Sequence, residues 1–212
     1  MFIVAVLVAM AALLTAAAPA LAESPPLKVV VLGDSLSAGY GLSAIDAFPE
    51  KLQTALRAKG IAVDIDNAGV SGDTSSGGLG RLDWSVPDGT QAVILELGAN
   101  DALRGIDPDV TRKALGEIIR RLQTRGIAVL LCGMRAPPNY GADYAARFDA
   151  IYPDLARQFG VPLDPFFLDG VAADAALNQA DGMHPTAAGV ERIVARVLPM
   201  VETFLGGINA RK

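Results

Sequence analysis

The sequence predicts an α/β fold: a three-layer α/β/α sandwich built on a parallel sheet. Three observations predict it. Short runs rich in Val, Ile and Leu recur along the chain, as strands buried on both faces require. Longer stretches between them carry apolar residues at helical spacing. The two kinds alternate, which implies βαβ units and hence parallel strands.

The elements follow in order. Leu27 to Leu32 is a continuous apolar run and reads as the first strand. Ala47 to Lys59 reads as a helix closed by Gly60. Ile61 to Ile65 is the second strand and Ala92 to Leu97 the third. The Gly77-Gly78-Leu79-Gly80 stretch reads as a flexible loop. Asp107-Pro108 starts a helix, with a capping aspartate and a proline in the first turn. That helix places Val110, Ala114, Ile118 and Leu122 on one inward stripe and stops at Gly126. Ile127 to Cys132 is the fourth strand. Asp143 to Phe159 is one helix carrying Tyr144, Phe148, Ile151, Leu155 and Phe159, with a kink at Pro153. Val161 to Leu163 is a short fifth strand. Thr186 to Leu205 is the last helix, with Val190, Val194, Val197, Val201 and Leu205 facing inward despite Pro199.

The chain has 212 residues, a net charge of −5, one cysteine and one histidine. Residues 1–22 hold no charged side chain and end in Ala20-Leu21-Ala22, a small-x-small pattern. They read as a signal peptide removed on export to the periplasm or beyond, although they carry no Lys or Arg ahead of the apolar stretch. The alternative is an uncleaved membrane anchor, because Phe2 to Ala22 is long enough to span a bilayer. Residues 23–212 then form a single domain of ordinary size. A mildly acidic chain with scattered charge has no electrostatic footprint for nucleic acid. Cys132 has no partner for an internal disulfide and, at the end of an apolar run, reads as a buried small side chain. One His and one Cys leave no plausible zinc site.

Ligands of parallel α/β sheets bind beyond the carboxyl ends of the strands. Four residues collect there. Ser35 follows the first strand, in GDSLSAGYG (Gly33 to Gly41), where Gly33 permits a sharp turn. Gly72, in SGD, follows the second; Asn100, in GAND, follows the third. His184 lies in DGMHP, just before the last helix, three residues after Asp181. A carboxylate on one imidazole nitrogen selects the tautomer whose other nitrogen can accept a serine proton. A glycine N–H and a side-chain amide at strand ends can hold a developing oxyanion. Taken singly, each residue also has a plain structural reading: a turn serine, a helix cap at Asp181, a turn glycine, an Asx turn at Asn100.

Together, Ser35, Gly72, Asn100 and His184 stand in GDSLS, SGDTS, GAND and DGMHP in this order. The chain resembles the GDSL, or SGNH, hydrolase superfamily, closest to its multifunctional acyl-CoA thioesterase I / protease I / lysophospholipase L1 and arylesterase group. ELGAND, LRG (Leu103 to Gly105), NYG (Asn139 to Gly141), AIYP (Ala150 to Pro153) and VPLDPFF (Val161 to Phe167) add to the resemblance. It implies the flavodoxin-like five-stranded parallel sheet of the SGNH fold. It implies Ser35 as nucleophile, His184 as base and Asp181 as its orienter, with an oxyanion hole from Ser35, Gly72 and Asn100. It implies that the segment Ala102 to Asp107 resembles a mobile loop closing over acyl chains, and that Arg135 and Pro137 line the substrate groove. Leu103, Ile106 and Met134 could supply the rest of an apolar groove.

The function expected is hydrolysis of acyl esters and thioesters through an acyl-serine, with no cofactor. The partner is a small acyl ester or thioester, with transient contact with lipid substrates and no obligate protein partner. A carbohydrate O-acetyl esterase on the same fold is the alternative; a non-catalytic α/β binding module is the alternative from another class. A nucleotide-binding protein is disfavoured by the absence of G-x-x-x-x-G-K-[S/T] and of G-x-G-x-x-G after the first strand. An α/β-hydrolase is disfavoured by the absence of a G-x-S-x-G elbow.

Overall fold

The computed structural model describes residues 25–209. The proposed leader and its cleavage site lie outside the described residues. Five strands, β1 (Leu27–Gly33), β2 (Val63–Gly69), β3 (Ala92–Glu96), β4 (Ala128–Cys132) and β5 (Leu163–Asp164), form one sheet in the order β2-β1-β3-β4-β5. Every pairing is parallel. The helices between them are α1 (Ser35–Ala38), α2 (Phe48–Ala58), α3 (Ser75–Gly80), α4 (Leu82–Ser85), α5 (Ala99–Leu103), α6 (Pro108–Thr124), α7 (Ala142–Asp149), α8 (Ile151–Phe159) and α9 (Ala187–Asn209). Helix α2 packs with α9, and α6 packs with α3 and α8, so the sheet is enclosed in a three-layer sandwich.

The three central strands carry the core. Val30, Val31, Leu32, Ile94, Leu95 and Leu131 are essentially inaccessible, and Leu52, Leu56, Leu115 and Phe167 close over them. Burying each such side chain contributes roughly 1.5–3 kcal/mol. The core thereby fixes strand ends in register: Gly33, Glu96 and Cys132 lie side by side at the carboxyl rim, with Asp164 of β5 next to Cys132. Cys132 is buried, as its place in the sequence suggests.

Five expectations change. Strand β5 is Leu163–Asp164 and not Val161 to Leu163. Strand β2 begins two residues later and runs on to Gly69. As an edge strand it alternates buried Val63 and Ile65 with polar Asp64 and Asp66, so period two marks it and a continuous apolar run does not. The single helix expected over 143–159 is two, broken at Ala150. Pro153 has no N–H for the Asp149 carbonyl, so the helix restarts and the proline falls in the first turn of α8. Val110 is exposed; the inward stripe of α6 keeps Ala114, Ile118 and Leu122 and adds Thr111 and Leu115. The Gly77-Gly78-Leu79-Gly80 stretch is helical: Thr74 caps α3 by accepting from the Gly77 N–H, and Gly78 packs against Leu97 where a Cβ would clash. Among the described residues no helix is long and apolar enough to cross a membrane.

Candidate active site

The turn after β1 is assembled from buried polar groups. Asp34 caps α1: its Oδ1 accepts from the Leu36 N–H at 3.0 Å and its Oδ2 from the Asn100 amide at 3.0 Å. Ser35 is therefore the first residue of a helix, where its own N–H has no intrahelical acceptor. Ser37 Oγ donates to Glu96 Oε2 at 2.7 Å. Gly33 serves close approach more than turning. Its φ is not positive, and a Cβ there would overlap Ser37 Oγ and stand 2.7 Å from Glu96 Oε2.

The histidine comes from the far end of the chain. His184 Nε2 lies 2.9 Å from Ser35 Oγ, and Nδ1 lies 2.6 Å from Asp181 Oδ2. Asp181 does not cap the last helix. Its Oδ1 accepts from the N–H groups of Met183 (2.9 Å) and His184 (3.0 Å), which folds the loop so that the carboxylate faces the ring. Pro185 does not start a helix either; it pairs with Asn178 in an antiparallel bridge, and α9 begins at Ala187. Gln179, which no sequence motif marks, holds this loop against the segment that follows Ser35. Its amide donates to the carbonyls of Tyr40 (2.7 Å) and Pro185 (2.9 Å), and the Tyr40 ring packs 4.5 Å from the His184 ring.

Asn100 stands on α5, which starts at Gly98, a left-handed residue (φ 119°) pressed against the Tyr152 hydroxyl. The next residue, Asp101, is fully buried and accepts from the Ser75 N–H (2.8 Å), the Ser75 hydroxyl (2.5 Å) and the Thr111 hydroxyl (3.0 Å). This ties α5 to α3 and α6. Gly72 sits in the loop after β2 at φ 82°, and its carbonyl accepts from Arg104 at 2.7 Å. Among the described residues its N–H has no acceptor.

A cavity of about 380 Å³ opens at Ser35 and His184. Asn100, Leu103, Met134, Arg135 and Pro137 line it, but Ile106 and Gly72 do not. The segment Ala102 to Asp107 is tethered from several sides: the Ile106 carbonyl accepts from the Tyr144 hydroxyl, the Leu103 carbonyl from the Tyr140 hydroxyl. Lining that the sequence reading missed comes from Leu36, Phe166, Leu168, Ala173 and Asn178. No periodicity marks the 166–178 stretch; its one local oddity, Ala173 at φ 64°, is visible only in the fold. The Arg135 guanidinium stacks over the Phe166 ring at 4.9 Å. Among the described residues no group of three or more His, Cys, Asp and Glu is arranged to hold a metal ion.

The carboxylates around the site sit in opposite environments. Burial pushes Asp34 up to about 6, against the Leu36 and Asn100 donors that favour its charged form. Burial, then the Asp34 charge, pushes Glu96 well above the usual carboxylate range. Asp181 is held down at about 2 by the N–H groups of His184 and Met183, then by the His184 ring. An ionised carboxylate, an imidazole and a hydroxyl in this line can move a proton from Oγ to Nε2.

Residues 31–192 match the model of the GDSL-like lipase/acylhydrolase family. The chain is 39% identical over 178 residues to esterase TesA of Pseudomonas aeruginosa, covering 84% of this chain and 89% of that protein. It is 43% identical over 158 residues to thioesterase 1/protease 1/lysophospholipase L1 of Escherichia coli K12, covering 74% of each. The crystal structure of AlinE4, an SGNH-hydrolase family esterase, superposes with a TM-score of 0.72 at 48% identity, covering 85% of this chain and 97% of that one. With the five-stranded parallel sheet in place, this chain belongs to the GDSL-like lipase/acylhydrolase family and is an ester-hydrolysing serine enzyme of the SGNH fold.

Proposed function

We propose that Ser35 is the nucleophile, His184 the general base and Asp181 its orienter, and that the enzyme cleaves acyl esters and thioesters. The observation that carries this reading is the continuous line Asp181–His184–Ser35, with gaps of 2.6 and 2.9 Å. His184 takes the Ser35 proton as Oγ attacks the acyl carbonyl. The oxyanion meets the Ser35 N–H, the Gly72 N–H and the second N–H of the Asn100 amide, whose first is engaged by Asp34. His184 returns the proton to the departing alcohol or thiol. It then activates water to release the acid from acyl-Ser35.

The cavity supports an acyl chain as the part held. Leu36, Leu103, Met134, Pro137 and Leu168 give it apolar walls, and about 380 Å³ lies within the ~300–1,000 Å³ usual for ligand pockets. Thioesters and lysophospholipids are proposed substrates beside simple esters, in keeping with the names of the relatives. The apolar stretch that ends in Ala20-Leu21-Ala22 supports export, with residues 23–212 as the working domain.

A fluorophosphonate probe tests the reading, with the adduct mapped by mass spectrometry. Labelling on Ser35, lost in Ser35→Ala while the far-UV spectrum persists, is the expected result. Labelling elsewhere, or a Ser35→Ala variant that still cleaves p-nitrophenyl esters, would remove Ser35 from its role. A panel from acetyl to palmitoyl esters separates an acyl hydrolase from a carbohydrate O-acetyl esterase, which should stop at the shortest chains.

A further inference from the structure

Beneath the nucleophile turn lies a carboxyl that the proton relay does not use. Glu96 closes β3, is fully buried, and stands in register between Gly33 and Cys132. Its Oε2 accepts from the Ser37 hydroxyl at 2.7 Å and faces the Asp34 N–H at 3.4 Å. Among the described residues its Oε1 is buried without a hydrogen-bond partner. Asp34, equally inaccessible, is the next carboxyl, and it has the better donors, from Leu36 and Asn100.

The charges that surround this pair offer Glu96 no cation. From α5 comes Asp101, another buried acid; from β4 the Cys132 thiol; from α8 the Tyr152 phenol. Asp164 on β5 is engaged by Arg196 at 2.5 Å. Arg81 donates to the Gly33 carbonyl at 2.8 Å but is paired with Asp73 at 2.6 Å. His184, on the loop opposite, faces Asp34 and Asp181. Two adjacent buried carboxyls without a cation between them do not both ionise near neutral pH. The proton settles on the group with fewer donors to its charged form.

We propose that Glu96 is a positioning residue for ester hydrolysis, held as a neutral acid beneath Ser35, where it anchors α1 through Ser37 and keeps a second negative charge away from the oxyanion donors. This deepens the reading of Ser35 and Asn100 above and rests on it. It also accounts for the motif residue by residue. Gly33 leaves space for the Glu96–Ser37 bond, Asp34 holds the cap and the Asn100 amide, and Ser37 is the anchor. A second carboxylate there would raise the energy of an oxyanion built on the same rim.

The test pairs a charge measurement with kinetics. In protein labelled with carbon-13 at glutamate Cδ, the resonance lost in Glu96→Gln is that of Glu96. At pH 7 it should carry the shift of a protonated acid. Glu96→Gln keeps an acceptor for Ser37 and places NH₂ where the acid carries its proton, so kcat should stay within about threefold of wild type. Glu96→Leu removes the anchor, and kcat should fall by about tenfold or more with KM within about twofold, the size of one lost hydrogen bond. A carboxylate shift at pH 7, or a Gln variant as impaired as the Leu variant, overturns the proposal. If the Leu variant does not fold, the resonance and the Gln variant decide. The resonance is independent of turnover, so a failure of Ser35 labelling sinks the nucleophile assignment without being mistaken for a failure here.

Discussion

The Ser35 turn and the histidine loop meet across 2.9 Å, yet they are built on opposite principles. The turn is dry. Asp34, Ser37 and Glu96 are fully buried, and the Ser37–Glu96 and Asn100–Asp34 contacts there link segments far apart in sequence. The loop is wet. The Asp181 side chain is 33% exposed, and its geometry comes from N–H groups two and three residues away. The same residue type responds in opposite directions: burial raises Asp34 to about 6, while local donors lower Asp181 to about 2. A carboxylate beside water and backbone N–H groups keeps its charge cheaply; one buried inside the rim keeps it only at a cost.

If this contrast is right, substitutions on the loop should cost activity and little stability, whereas those in the turn should cost both. His184→Ala is the strongest case: kcat for a p-nitrophenyl ester should fall roughly 10³–10⁴-fold, with thermal unfolding close to wild type. A large loss of stability would break the comparison at once. Asp181→Asn should follow, with a weak residual rate because the wrong tautomer is favoured. Asn100→Ala should lower kcat roughly 10²–10³-fold at nearly unchanged KM, the size of one oxyanion donor. It also leaves Asp34 short of a donor, so chemical denaturation should register a loss of about 1–3 kcal/mol. Gln179→Ala, which frees the loop from Tyr40 and Pro185, should have the mildest kinetic effect, about tenfold in kcat.

The pH dependence of stability sharpens the contrast further. Asp34 binds its proton more tightly folded than unfolded, so its contribution is fully present below about pH 4 and is lost as pH rises through about 6. Asp34→Asn should flatten the slope between those values. Asp181 has the opposite sign. Its contribution is present above about pH 4 and is lost as pH falls toward 2, so Asp181→Asn should flatten the acid limb instead. Urea titrations across pH measure both, and matching slopes in the two variants would show that the environments do not differ.

The reading of Leu27–Leu32, Ala92–Leu97 and Ile127–Cys132 as strands came close because these segments are buried on both faces, so burial is written as unbroken apolar sequence. Ser35, Asn100, Asp181 and His184 stand out in the sequence because a serine, an amide, a carboxylate and an imidazole fall at strand and helix ends in a recognisable order, and the structure brings Asp181, His184 and Ser35 into one line. The edge strand β2 was misplaced because half of it faces solvent, and Ile106 was placed in the groove because a loop side chain's direction is not encoded in its neighbours. The glycine-rich α3 was taken for a loop because its stability comes from Leu97, Asp101 and Thr74, not from helix propensity.

What the amino-acid order determined alone was periodic and local: that the central strands are buried, that α6 starts at Asp107-Pro108, and that Asp181 precedes His184 by three residues. The tertiary structure decided what depends on distant partners. It set the 2.9 Å between residues 149 positions apart, the clasp of Gln179, the walls supplied by 166–178, and the environment of Glu96. The reason is physical: periodicity is a property of neighbouring residues, whereas desolvation and through-space contact exist only once remote segments have displaced the water between them.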